Sequence, residues 1–203
     1  MKWFGLDAVD GLLRLGADVN IRCSTYGATP LHYILIFSYS SDTIEQLLQA
    51  GGDVSIRTNH GQSCLSYGIM QNDIYLLQLL FNTVKLVHSD LLELIALACI
   101  HGKDNSLSFL LEKLDSSFDL NQTMSDGMTV LMLACAHGQY SCVNLLLYAK
   151  VQIEVVNPLT GMTSVHYAAM NGQSDCILAL LQELRANRKD LKSFVDLKDN
   201  KGK

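Results

Sequence analysis

Two sets of side chains in this chain have the chemistry for metal binding or catalysis. Cys135-Ala136-His137 with Cys142 gathers two thiols and an imidazole, the donor types that zinc prefers. Zinc sites, however, pair two closely spaced ligands with a second such pair, and these three are split by a helix break at Gly138. A metal site is therefore not expected. His32 and His166 each follow a threonine by three residues, Thr29 and Thr163, and an imidazole there could act as a general base. No nucleophile motif accompanies them. The chain has no G-x-x-x-x-G-K loop, no G-x-G-x-x-G after a strand, no G-x-S-x-G elbow and no H-E-x-x-H pair. Nothing in the residues points to an enzyme or to a cofactor.

Such side chains need elements to position them, and composition says which are available. The 203 residues are 49% hydrophobic and 17% charged, enough for a folded core and too apolar for disorder. Two prolines argue against long linkers. No apolar run approaches the roughly 18 residues of a membrane span. The start, Met1-Lys2-Trp3-Phe4-Gly5 and then acidic residues, does not resemble a secretion signal. Asn121-Gln122-Thr123 fits a glycosylation sequon, which is read as chance in that context. The six cysteines are expected to be reduced, as in a cytosolic or nuclear protein, since Cys64, Cys99 and Cys135 fall at or beside apolar helix positions. The net charge of −5 hides an asymmetry: residues 1–184 hold 8 basic and 17 acidic side chains, residues 185–203 hold 7 and 3. An acidic body does not suit nucleic acid. The basic segment with Arg185, Arg188, Lys189 and Lys192 reads as a solvated extension.

The organising pattern is Gly127 to Ala149, GMTVLMLACAHGQYSCVNLLLYA. Thr129 can cap a short helix whose face is Leu131, Ala134 and Cys135, Gly138 breaks it, and Val143, Leu146 and Leu147 form a second stripe. The pattern returns 34 residues later, from Gly161 to Glu183. Helices this short cannot bury their faces alone, so the copies must stack. Gly27-Ala28-Thr29-Pro30-Leu31-His32 opens an earlier copy, and Leu47-Leu48-Gln49-Ala50-Gly51-Gly52-Asp53-Val54 closes it. That copy is one residue longer between its glycines, and the extra residue is placed in the loop from Phe37 to Asp42. A degenerate copy has Gly61-Gln62-Ser63-Cys64-Leu65-Ser66, with Asn72 in place of the mid-repeat glycine. Another lacks the opening phrase and begins its first helix near Leu94. The turn from Asp115 to Asp126 is longer than elsewhere, which leaves its hairpin geometry open.

The phrases Gly27-x-Thr29-Pro30-Leu31-His32 and Gly16-Ala17-Asp18-Val19-Asn20 resemble the ankyrin repeat, and the resemblance recurs in register along essentially the whole chain. It implies an all-α ankyrin-repeat solenoid of stacked helix-turn-helix units with short β-hairpin loops. The expected units are a partial repeat at 1–22, repeats at about 23–56, 57–90, 91–122, 123–156 and 157–196, and the start of a further one at 197–203. Trp3, Phe4 and Leu6 are candidates to cap the open end or to be remains of a helix. The chain reads as a piece of a longer protein.

The resemblance also reassigns the histidines. In ankyrin repeats the Thr-x-x-His histidine ties helix starts and adjacent hairpins together by hydrogen bonds, so His32 and His166 are expected to be structural. The family's hairpin tips and first-helix ends line a concave face. Here those places hold Tyr26, His60, Gln62, Met70, Gln71, Ile100, His101, Asp126, Met128, His137, Thr160, Met162, Met170 and Asn171. Methionine is flexible and polarizable and suits surfaces that take apolar partners, although the same residues can fill gaps between repeats. The resemblance thus implies a protein–protein interaction module or adaptor that holds a partner segment on its concave face, monomeric, with no small-molecule substrate, nucleic acid or membrane as partner. The alternative is a substrate-docking or regulatory domain of an enzyme, such as a ubiquitin ligase or kinase, whose catalytic part lies outside this chain. A purely structural spacer would have no selective partner.

Overall fold

The computed structural model describes residues 11, 13–37, 41–83, 88–187, 199, 200 and 202. They belong to two compact units, residues 1–86 and 87–203. Among the described residues the regular structure is helical apart from one isolated antiparallel bridge, Arg57 to Ser63.

In the first unit, α1 (Pro30–Phe37) and α2 (Ser41–Gln49) form one helix pair, and α3 (Cys64–Gln71) and α4 (Ile74–Phe81) form the next. α1 packs on α2 and on α3, and α3 packs on α4. Leu31, Leu35, Ile44, Leu65, Ile69, Leu76, Leu77 and Leu80 are fully buried between them. Each such side chain gains about 1.5–3 kcal/mol from leaving water, which no eight-residue helix could collect by itself.

The second unit holds α5 (His88–His101), α6 (Asp104–Glu112), α7 (Val130–Ala136), α8 (Tyr140–Tyr148), α9 (Ser164–Met170) and α10 (Ser174–Ala186). First helices stack as α5 on α7 on α9, and second helices as α6 on α8 on α10. Ala134, Cys135 and Ala168 are fully buried at the first-helix crossings, where small side chains let backbones approach.

Helix starts and breaks follow local chemistry. The Thr129 hydroxyl accepts the Met132 N–H at 3.3 Å, and the Asp73 carboxylate accepts the Leu76 N–H at 3.2 Å. Asn72 occupies the left-handed region at φ 57°, the conformation its place at the mid-repeat break demands.

One boundary differs from the sequence reading. α5 begins at His88, ahead of Leu94 and inside the stretch assigned to the preceding repeat, and runs 14 residues where α7 and α9 run seven. No Gly-x-Thr phrase stands there to force a turn, and Leu91, Leu94 and Ile95 continue the buried face, so the helix extends backwards. Of the loop placed from Phe37 to Asp42, Phe37 belongs to α1 and Ser41 and Asp42 to α2. Residues 38–40, the expected cap of Trp3, Phe4 and Leu6, and Arg188, Lys189 and Lys192 lie outside the described residues.

Candidate partner-binding site

The hairpin tips are closed by backbone hydrogen bonds from Cys23 to Ala28, Thr58 to Gln62, Met124 to Met128 and Asn157 to Met162, at 2.8–2.9 Å. The long turn before Met124 therefore still ends in a hairpin of the common kind. Its extra residues are folded onto themselves, with the Asp115 and Asp119 carboxylates accepting the N–H groups of Ser117 and Asn121.

Within each unit, side-chain amides link one hairpin to the one before. Asn59 donates from Nδ2 to the Thr25 carbonyl at 3.2 Å and from its backbone to Tyr26 at 2.8 Å. Asn200 makes the same pair of bonds to Leu159 and Thr160, at 3.2 and 3.0 Å. Asn157 donates to the Asp126 carbonyl at 3.1 Å. A second row lies at the helix breaks, where Gln139 Nε2 donates to the Ile100 carbonyl at 3.1 Å. None of these amides stood out in the sequence, because each works on a carbonyl more than 30 residues away.

The Thr-x-x-His position is structural in every copy described. The N–H of Thr29 donates to His32 Nδ1 and that of Thr163 to His166 Nδ1, both at 3.2 Å. At the same place Ser66 Oγ accepts from Ser63 at 3.3 Å, and Met132 Sδ accepts from Thr129 at 3.4 Å. Since a hydroxyl and a thioether fill the role, it needs no proton chemistry. His32 Nε2 is buried facing the next hairpin, and the ring meets Tyr67 edge-on at 5.8 Å. Burial pushes the His32 pKa down, opposed by backbone groups of Gln62 and Ile56.

Around this frame the predicted site residues separate into groups. In the first unit, Tyr26, His60 and Gln62 come together around a cavity of about 230 Å³, with Ala28, Tyr33, Ile36, Phe37, Thr58 and Tyr67 completing its wall. In the second, Thr160, Met162 and Met170 line a groove of about 480 Å³ over α9 with Leu159, His166, Ala169, Asp199 and Asn200. Met170 and Leu159 are 66% and 64% exposed there. The other candidates stand apart from these two openings. Met70 and Gln71 end α3, where Gln71 donates to the Leu35 carbonyl at 3.4 Å. His101 is exposed at the end of α5. His137 Nδ1 lies 3.0 Å from the Leu133 carbonyl, the Asp126 carboxylate accepts the Met128 N–H at 3.0 Å, and Asn171 donates to the Tyr167 carbonyl at 3.0 Å. Met128 is half-buried beside its hairpin. Tyr33, Phe37 and Tyr67 were missed in the sequence, since Phe37 was placed in the helix–helix loop whereas it ends α1, and Tyr67 comes from the next helix pair.

The cysteines divide in two. Cys64, Cys99, Cys135, Cys142 and Cys176 are buried, and burial pushes each thiol pKa up, to about 12 for Cys64 and about 11 for Cys142. Cys23 is half-buried and its pKa is lowered to about 7, first by the Tyr33 hydroxyl, which donates to Sγ at 3.1 Å, and then by the Tyr26 N–H at 3.3 Å. Among the described residues no group of three or more His, Cys, Asp or Glu could hold a metal ion, and no helix is long and apolar enough to cross a membrane.

The repeated hairpin, capped first helix and second helix are matched by known proteins. An ankyrin repeat model covers residues 26–59, and a model of three ankyrin repeat copies covers residues 94–193. This chain belongs to the ankyrin repeat family. A curated relative is the nuclear factor NF-kappa-B p105 subunit of chicken (Gallus gallus), 25% identical over 150 residues. That match covers 74% of this chain and 12% of the relative's length. Among solved structures, the ankyrin repeat domain of human ASB11 superposes with a TM-score of 0.75 at 21% identity, covering 97% of this chain and 83% of that one. The ankyrin repeat domain of Bcl-3, described as a member of the IkappaB protein family, gives 0.74 at 20% identity, covering 97% and 84%. A chain in the complex of the Bdellovibrio bacteriovorus endopeptidase Bd0816 with immunity protein Bd3460 gives 0.69 at 18% identity, covering 85% and 89%. At these identities the superpositions establish the fold: an all-α ankyrin solenoid.

Proposed function

We propose that this chain is a protein-interaction module that holds a segment of a partner protein against its hairpin tips and first-helix ends. The observation that carries this is the groove over α9. Leu159, Met162, Ala169 and Met170 form an open apolar surface of a kind that soluble proteins otherwise cover. Methionines suit it to a peptide side chain, because they repack at little cost. Ankyrin repeats are widely used for protein recognition, and one of the superposed chains comes from a two-protein complex. An adaptor role without catalysis, as a monomer in the cytoplasm or nucleus, is the reading we adopt. The NF-kappa-B relative and the five buried thiols support that location.

The test is cross-linking mass spectrometry on the chain captured from cell extract, beside a Met162→Asp, Met170→Asp variant. Cross-links made with a photo-activated diazirine reagent should fall on the groove residues from Leu159 to Met170 and vanish in the variant, while its melting curve stays cooperative. Cross-links confined to the second helices, or unchanged in the variant, would sink the reading.

A further inference from the structure

The cavity in the first unit differs in kind from the groove over α9. Its wall carries the rings of Tyr26, Tyr33, Phe37 and Tyr67 with the His60 imidazole beside them, and no Asp, Glu, Lys or Arg. Two of the three tyrosine hydroxyls are already committed. Tyr33 donates to Cys23 Sγ at 3.1 Å and Tyr67 to Gln62 Oε1 at 2.9 Å. The Thr58 hydroxyl accepts the Gln62 N–H at 3.3 Å. Ring surface is thus what the cavity chiefly offers, with Tyr33 and Phe37 stacked one helical turn apart at 6.1 Å.

The face of an aromatic ring is the negative part of its quadrupole and attracts a cation. The Cys23 sulfur, held by Tyr33 and the Tyr26 N–H, adds electron density behind the same wall. Arg22 and Arg57, the basic residues of this hairpin pair, direct guanidinium N–H groups onto the carbonyls of Gly27, Arg57 and Gly61. The chain as a whole carries a charge of −5, which favours a basic partner at long range. With no carboxylate in the wall, a primary ammonium would leave donors unsatisfied on entering. An ammonium clad in methyl groups has no donors to lose and keeps its charge.

We propose that this cavity takes the quaternary ammonium head of a methylated lysine in a partner segment, held by cation–π contact with Tyr26, Tyr33, Phe37 and Tyr67. The proposal rests on the reading of the chain as a partner-binding module and names the chemistry of one anchor.

The experiment titrates the full chain with two short Gly/Ser-flanked peptides, followed by NMR of the tyrosine ring signals. One carries a single trimethyl-lysine, the other its uncharged tert-butyl isostere. The charged peptide should bind at least tenfold more tightly and shift the rings of Tyr26, Tyr33 and Tyr67. Tyr26→Leu and Phe37→Leu, at positions 54% and 75% exposed and so tolerant of change, should each weaken it at least tenfold. Equal affinity for both peptides would overturn the cation assignment while leaving an apolar partner anchor in place. Absence of ring shifts with either peptide would overturn the site itself, and the groove over α9 would remain separately testable by its own methionine variant.

Discussion

Asn157 stands over Gly127. Its Oδ1 occupies the space where a side chain on that glycine would begin, while its Nδ2 donates to the neighbouring Asp126 carbonyl at 3.1 Å. Asn59 stands over Gly27 and Asn200 over Gly161 in the same way. The glycine is needed twice, for its left-handed backbone at φ 74° and for the close approach of the next repeat.

That double demand separates two alanine substitutions. Gly172 has φ 69° and open space beside it, so Gly172→Ala should cost only the backbone term, about 1 kcal/mol. Gly127→Ala adds the collision with Asn157 and should cost roughly 2–4 kcal/mol, since Asn157 is buried and must lose its bonds to move. Urea denaturation of the two variants gives the comparison. Equal losses would show that Asn157 yields freely.

Lys150 offers the opposite experiment. It holds φ 63° at the end of α8, where the earlier second helix α2 is followed by Gly51 at φ 92°. Its ion pair with Glu183 is 3.7 Å long and its own side chain is 77% exposed, so the pair adds little. Lys150→Gly should raise stability by ~0.5–1 kcal/mol, and Lys150→Val should lower it by about 1 kcal/mol or more. Thermal melts of both variants would reveal the sign.

His32 makes stability depend on pH. Its folded pKa is depressed by burial, so the unfolded chain takes up the proton first. Its contribution is therefore complete above the unfolded value near 6.5 and is lost as pH falls from there through the folded value, by at most about 1.4 kcal/mol per pH unit. Denaturation midpoints at pH 7.5 and 5.5 should fall apart in the wild-type chain and approach each other in His32→Gln. A pH-independent midpoint difference between the two proteins would contradict this.

Cys23 should be the reactive thiol. With a pKa of about 7 it is substantially ionised at neutral pH, whereas the five buried thiols are protonated and shielded. Limited alkylation with iodoacetamide followed by peptide mass spectrometry should label Cys23 first. Tyr33→Phe removes the largest cause of the shift and should slow that labelling roughly 3- to 10-fold at pH 7. Labelling led by Cys176 or Cys142 would refute the assignment.

Legibility followed the local nature of each feature. Thr129, Gly138 and the 34-residue return to Thr163 and Gly172 are set by capping and backbone chemistry within a few residues, so the helix pairs could be read directly. Asn72 could be placed because its own backbone preference carries the break. The start of α5 could not, since it depends on the absence of a turn signal and on burial of Leu91 against a neighbour. The amides of Asn59, Asn157 and Gln139 were hidden because a polar residue in a loop shows nothing of a carbonyl one repeat away. Of the candidate face, Tyr26, His60 and Gln62 converge, as do Thr160, Met162 and Met170, but the aromatic wall of the first cavity required knowing that Tyr67 reaches across from the next helix pair.

Asn157 is followed by Pro158, and this bears on how the protein ages. Asparagine decays to aspartate when the next backbone nitrogen attacks its side-chain carbonyl, a ring closure that proline's hydrogen-free nitrogen prevents. The buried amide at Asn157 is thereby shielded from a slow chemical clock that stays free to run at the exposed Asn59, where His60 follows.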